Sequence, residues 1–141
     1  VFIVSTFVVN SQTIYSEAFG NPNDKPLIYL HGGPGYNSVG FEATAAQKLS
    51  ENGFYVITYD RRGEGRSPDK NAKFTFNETF DDVNLIYDKF NLTSATLIGH
   101  SFGGIIATLY AERHPEKTKS IILVSVPLSM QETLSNKLKS S

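Results

Sequence analysis

Three times in this chain a short apolar run ends in a glycine-rich turn and gives way to a segment whose apolar residues recur at helical spacing. The runs are Leu27–Leu30, Tyr55–Tyr59 and Ala95–Ile98. The turns are His31-Gly-Gly-Pro-Gly35, Asp60-Arg-Arg-Gly-Glu-Gly-Arg-Ser67 and Gly99-His-Ser-Phe-Gly-Gly104. A run without polar alternation suits a strand covered on both faces. Strands joined by single helices require right-handed crossovers, so the pattern predicts an α/β fold: a mainly parallel sheet with helices on both faces. Ligands of such sheets bind beyond the carboxyl ends of the strands, where all three turns fall.

The remaining elements fit the same cycle. A helix is expected over Val39–Asn52, with Phe41, Ala45 and Leu49 on one stripe and Gly53 as its stop. Thr75 and Glu78 form a capping box for a helix carrying Phe80, Val83, Tyr87 and Phe90. Ile105–His114 is the next helix, ended by Pro115. Ser120–Val126 reads as another buried strand, and Leu128–Lys139 as the start of a further helix. Upstream, Phe2–Val9 and Thr13–Phe19 alternate as two strands joined around Asn10-Ser11, which predicts a hairpin and brings the expected total to about six strands. The length of 141 residues is a prior for one domain over 1–141. A first residue that is not Met reads as a trimmed or partial chain.

Composition narrows the function classes. Thirteen basic and 14 acidic residues give a net charge of −1, with no block of one sign, which argues against a nucleic-acid partner. The absence of Cys removes thiol nucleophiles, disulfides and thiolate metal sites. No His/Asp/Glu cluster has metal-ligand spacing, so no metal is expected. No apolar run approaches the ~20 residues that span a bilayer, so no membrane partner is expected either. The start, Val1-Phe-Ile-Val4 and Phe7-Val-Val9, is interrupted by Ser5 and Thr6 and suits a strand better than a leader, which favours a cytoplasmic chain.

Gly99-His-Ser-Phe-Gly103 carries the most chemistry. It matches G-x-S-x-G in the context that gives the pattern meaning, a buried strand before it and a helix after it. A Ser on so sharp a turn adopts a strained backbone that only very small neighbours tolerate. The strain lifts its Oγ to a helix N-terminus, where free N–H groups and partial positive charge favour a developing oxyanion. The plainer reading is a turn that only tightens helix–sheet packing. In His31-Gly-Gly-Pro-Gly35, peptide N–H groups can line a site unobstructed by side chains, although Gly and Pro also punctuate ordinary turns. Gly33-Pro-Gly35-Tyr-Asn-Ser38 is a near miss of the dinucleotide fingerprint, with Asp60 where a ribose-binding acid would sit. Its third Gly is Ser38, and Pro34 stands between the first two, so no cofactor is expected. In Asp60–Ser67 the glycines supply positive φ, Asp60 and Ser67 anchor the turn, and the arginines are solvated or paired. Asn77-Glu-Thr79 and Asn91-Leu-Thr93 match the glycosylation sequon but are better explained as a helix start and a helix-end loop.

In this order the three motifs resemble the α/β-hydrolase fold, and within it the proline iminopeptidase-like branch, of which H-G-G-P-G and D-x-R-G-x-G-x-S are the more specific parts. The resemblance covers nearly the whole chain but only the first part of such an enzyme, with the C-terminal strands absent and 128–141 as the start of a cap. It implies a serine hydrolase with Ser101 as nucleophile and an oxyanion hole formed by the N–H groups of Phe102 and Gly33, His31 buttressing the loop. Proline iminopeptidases tend to have G-G-S-W-G at the elbow. Here His100 and Phe102 flank the Ser, as in G-H-S-F-G of esterases and lipases, so both amides and esters stand as substrates. A small molecule or short peptide is implied, with no cofactor. The acid and the base follow the Ser in this family. None of the three histidines suits the base: His31 lies in the loop, His100 adjoins the Ser, and His114 falls twelve residues or roughly 18 Å along the next helix. A catalytically incomplete fragment or a non-catalytic relative is the alternative from a different class.

Overall fold

Along the second strand the side chains alternate between two cores. Ile28 and Leu30 point into one and Leu27 and Tyr29 into the other, and all four are buried. The computed structural model describes residues 14–127. Among them are five strands: β1 (Ser16–Phe19), β2 (Lys25–Leu30), β3 (Phe54–Tyr59), β4 (Ala95–His100) and β5 (Thr118–Val124). They form one sheet in the order β1-β3-β2-β4-β5. β1 runs antiparallel to β3, and every other pair is parallel. The expected segment Phe2–Val9, and with it the hairpin around Asn10-Ser11, lies outside the described residues, as does the helix expected over Leu128–Lys139.

The helices cover both faces, as a parallel sheet requires. On one face α3 (Phe76–Lys89) and α4 (Phe102–Arg113) pack Phe80, Val83, Ile86, Tyr87, Ile106 and Tyr110 onto Ile28, Ile57 and Leu97. The other face is covered by a continuous helical stretch of α1 (Val39–Phe41), a π-helical segment (Glu42–Ala46) and α2 (Gln47–Ser50). There Phe41 stacks on Tyr29, with ring centroids 3.9 Å apart.

Two expectations need correction. The stripe predicted at Phe41, Ala45 and Leu49 assumes a uniform α-helix. The π-helical turn carries an extra residue, so Ala46 rather than Ala45 becomes the fully buried alanine, while Phe41 and Leu49 still face the core. The strand expected to be buried over Ser120–Val126 is β5, and its Ile121–Val124 are 38–46% exposed. Its sequence is that of an interior strand, but among the described residues it has a neighbour on one side only. The capping box holds in part. The Thr75 hydroxyl accepts from Glu78 N–H at 3.2 Å, whereas the Glu78 carboxylate accepts from the N–H groups of Lys73 and Phe74 instead of closing back on Thr75.

Candidate active site

β4 passes into α4 through Ser101, whose φ of 52° and ψ of −120° lie where a residue with a Cβ is strained. The strain is held in place from both sides. Ser101 N–H donates to Val124 C=O on β5, and Gly104 N–H donates to Ser101 C=O, each at 2.9 Å. The three glycines around it are required for space. A Cβ on Gly103 would run into the Leu30 carbonyl oxygen, one on Gly99 into Gly104 Cα, and one on Gly104 into the Val126 side chain. Without side chains there, α4 starts directly against β2 and β4. Ser101 forms no side-chain cap with its helix, and it lines a cavity of about 490 Å³ together with Gly33, Phe76, Phe102, Ile105 and Pro127.

The first glycine loop reaches the same place because β2 and β4 are neighbours, with Leu30 opposite Gly99. A Cβ built on Gly32 would sit 3.4 Å from Ser101 Cβ and 3.0 Å from His100 Nδ1, so the loop packs onto the elbow. Gly33 has a φ of 127° and shares the cavity wall with Ser101 and Phe102, the first residue of α4. The residues expected to act together are therefore side by side.

His31 is fully buried and occupied on both nitrogens. Nδ1–H donates to Gly32 C=O at 2.7 Å, and Nε2 accepts from Arg61 N–H at 3.0 Å. That pairing defines a neutral ring. Burial, reinforced by the Arg61 charge, pushes its pKa down to about 4. His31 is thus a spacer between the first two turns. His114 lies at the far end of α4 against Tyr110, with ring centroids 4.6 Å apart. The His100 Nδ1 atom is buried without a partner. Among the described residues no histidine hydrogen-bonds Ser101. No group of three or more His, Asp or Glu among them is arranged to hold a metal ion.

The second turn is the most heavily bonded part of the site. Gly63 and Gly65 have φ of 77° and 50°, as expected of the glycines in this turn. The Ser67 hydroxyl donates to Asp60 C=O, and the buried Asp60 carboxylate accepts from Ser38 N–H and Oγ–H and from Arg66. Asp60 and Ser38, the acid and the third position of the dinucleotide near miss, thus satisfy one another. Arg66 spans Asp60, Glu42 and Ser38 and lies 3.6 Å from the Tyr15 ring centroid. Burial alone would raise the Asp60 pKa, but hydrogen bonds from Arg66 and Ser38 outweigh it and hold the carboxyl at about 2.

Arg61 and Glu64 do not stand out in the sequence, where the arginines of this turn look like ordinary solvated or paired charges. Arg61 is 4% exposed, with Nε on Glu64 at 2.6 Å, Nη1 on His31 C=O at 2.5 Å and Nη2 on Gly32 C=O at 2.6 Å. Glu64 accepts from Gly35 N–H at 2.5 Å. Their three-residue spacing is the only local signal. The carbonyls they meet lie about thirty residues away in sequence.

A strained Ser at a strand-to-helix turn, a glycine loop beside it and a mostly parallel sheet beneath both define a class, and residues 25–140 match the model of the alpha/beta hydrolase fold. The chain belongs to the α/β-hydrolase family. Among its relatives, the proline iminopeptidase of Xylella fastidiosa (strain Temecula1) is 34% identical over 119 residues, 82% of this chain and 37% of that protein. Of solved structures, a carboxylesterase of the thaumarchaeon Nitrososphaera gargenis superposes with a TM-score of 0.77 at 30% identity, covering 93% of this chain and 49% of that one. A proline iminopeptidase-related protein of Thermus thermophilus gives 0.75 at 27% identity, over 91% and 52%. The chain spans about a third of the length of the curated relatives it matches. No helix among the described residues is long and apolar enough to cross a membrane.

Proposed function

We propose that the protein containing this chain is a serine hydrolase that transfers an acyl group from an ester or amide through Ser101. The observation that carries the reading is the backbone of Ser101, a strained residue kept in place by glycines that leave its hydroxyl at the cavity and at the start of α4. In the reaction, Ser101 Oγ bonds to the substrate carbonyl carbon as its proton passes to a base. The oxyanion that forms accepts from the N–H groups of Phe102 and Gly33. Collapse expels the alcohol or amine with that proton, and water then releases the acid. No histidine in place serves as the base: both nitrogens of His31 are already bonded, His114 is remote, and His100, whose Nδ1 is buried without a partner, makes no hydrogen bond to Ser101, so the base and its orienting acid are assigned to the rest of the protein. The relatives favour a peptide with N-terminal proline as substrate. The second reading, a carboxylic ester, is favoured by the G-H-S-F-G elbow and the likeness to a carboxylesterase.

The test uses the complete protein and a fluorophosphonate. Modification is expected on Ser101 alone, with labelling and turnover both lost in Ser101→Ala by roughly 10⁴-fold or more. Labelling of another hydroxyl that persists in Ser101→Ala would overturn the assignment. The ratio of activities on prolyl-p-nitroanilide and p-nitrophenyl acetate separates the two substrate classes. The 141 residues alone are expected to turn over little of either.

A further inference from the structure

The buried pair beside the first glycine loop shares the cavity wall with Ser101 and takes no part in the steps above, yet each side-chain hydrogen bond it makes goes to that loop or to its partner. Arg61 donates to the carbonyls of His31 and Gly32, and Glu64 both accepts from Gly35 N–H and holds Arg61 Nε. We infer that Arg61 and Glu64 are positioning residues that aim the Gly33 N–H at the reacting carbonyl; this rests on the proposed roles of Ser101 and Gly33.

The argument turns on one peptide plane. In a planar trans peptide the C=O of one residue and the N–H of the next point in opposite directions. Fixing Gly32 C=O on Arg61 Nη2 at 2.6 Å therefore fixes the direction of Gly33 N–H, away from the guanidinium. Glycines on both sides of that plane make its rotation sterically cheap, so the loop's own sequence does not select the orientation. The guanidinium does, and its positive charge also polarises the peptide and strengthens the N–H as a donor. It packs directly against the plane: a Cβ on Gly33 would lie 3.0 Å from Arg61 Nη2. Glu64 completes the frame by holding the other end of the loop at Gly35, while Arg61 also lies 5.6 Å from the ring centroid of Phe102, the residue proposed to give the second oxyanion donor. Arg61 and Glu64 stand at two of the positions that D-x-R-G-x-G-x-S leaves open, so the clamp belongs to this chain rather than to the motif.

The experiment measures kcat and KM of the complete enzyme on p-nitrophenyl acetate, and on its thionoester, for Arg61→Met, Arg61→Lys and Glu64→Gln. Arg61→Met is expected to lose about 10- to 100-fold in kcat with KM little changed, less than the roughly 10²–10³ for outright removal of an oxyanion donor. Its preference for the ester over the thionoester should shrink, because sulfur accepts hydrogen bonds poorly and gains little from an aligned hole. Arg61→Lys, which cannot present a planar fork to two carbonyls, should fall between. A lower melting temperature with kcat and the ester preference unchanged would show a purely structural pair and overturn the inference. If Arg61→Met does not fold, Glu64→Gln decides: reduced kcat and ester preference support the inference, and unchanged values overturn it. Fluorophosphonate labelling of the unmutated enzyme separates the two levels. Failure to label Ser101 ends the parent reading, whereas labelled Ser101 with unaltered kinetics in the folded variants ends this one alone.

Discussion

The elbow at Gly99–Gly104 and the turn at Asp60–Ser67 lie at the same end of the sheet, beyond the carboxyl ends of β4 and β3, and are held by opposite means. At the elbow the shape comes from missing side chains: three glycines let α4, β2 and β4 close on one another, and the bonds that fix Ser101 are between backbone groups. In the Asp60–Ser67 turn the shape comes from charged side chains, with Asp60, Arg61, Glu64 and Arg66 all bonded within the fold. One turn is governed by steric exclusion, which is indifferent to pH and salt. The other depends on ionisation, and its bonds reach helical and loop residues distant in sequence. The strained serine is thereby held without any charged group, while the loop beside it is tied to a buried ion pair.

The sharpest way to break this contrast is to add one methyl group at the elbow. Gly103→Ala in the complete protein should cost about 4 kcal/mol or more, at the level where overpacking against rigid backbone becomes exceptional, because the new Cβ meets the Leu30 and His31 carbonyl oxygens rather than a movable side chain. Chemical denaturation measures it. A loss below about 1 kcal/mol would mean that β2 and α4 can separate, and the steric account of the elbow would fail.

Acid should act on the charged turn and on the first glycine loop that it holds. His31 titrates near 6.5 when unfolded and is held at about 4 by burial and by Arg61, so its contribution is complete above pH 6.5 and fades as the pH falls toward 4. Asp60 is held at about 2 against a usual 3.8, so its contribution is complete above about pH 4 and disappears as the pH falls through 2. That second step is worth about 2 kcal/mol. Denaturation midpoints measured from about pH 7 to 2 should therefore fall in two stages, with Asp60→Asn removing the lower. A midpoint flat over the whole range would remove the charged turn from the account.

Asp60→Asn at neutral pH should cost about 2 kcal/mol, less than full rupture of a buried pair, since Arg66 keeps Glu42 and its side chain is 31% exposed. Sodium chloride should reduce this difference and leave that of Gly103→Ala unchanged. The smallest effect is expected at Gly40 in α1, where a Cβ would meet nothing within 4 Å: Gly40→Ala should stabilise by about 0.5–1 kcal/mol. A penalty there would mean that glycine in this chain is placed for reasons other than contact and conformation.

Much of the site was legible in the sequence because its causes are local. A serine bracketed by glycines between an apolar strand and a helix states its own strain, and the Thr75 cap and the positive φ of Gly63 and Gly65 follow from residues a few positions apart. The π-helical turn was not legible, because one residue inserted into a helix leaves the apolar spacing nearly unchanged. Leu27–Leu30 and Ile121–Val124 are both continuous apolar runs, and it is the strand order that places one in the middle and the other at the edge of the described sheet.

By itself the sequence determined the alternation of strands and helices, the three turns at the carboxyl ends of strands and the serine on the sharpest of them, since steric clashes and backbone propensities act over a few residues. Only the tertiary structure decided that β2 lies beside β4, that His31 is a neutral spacer and that Arg61 and Glu64 grip the loop next to Ser101. Those relations join residues about thirty or more positions apart. They are set by which apolar faces bury against each other and by which buried carbonyls are then left for a charged group to satisfy, and no local pattern encodes either.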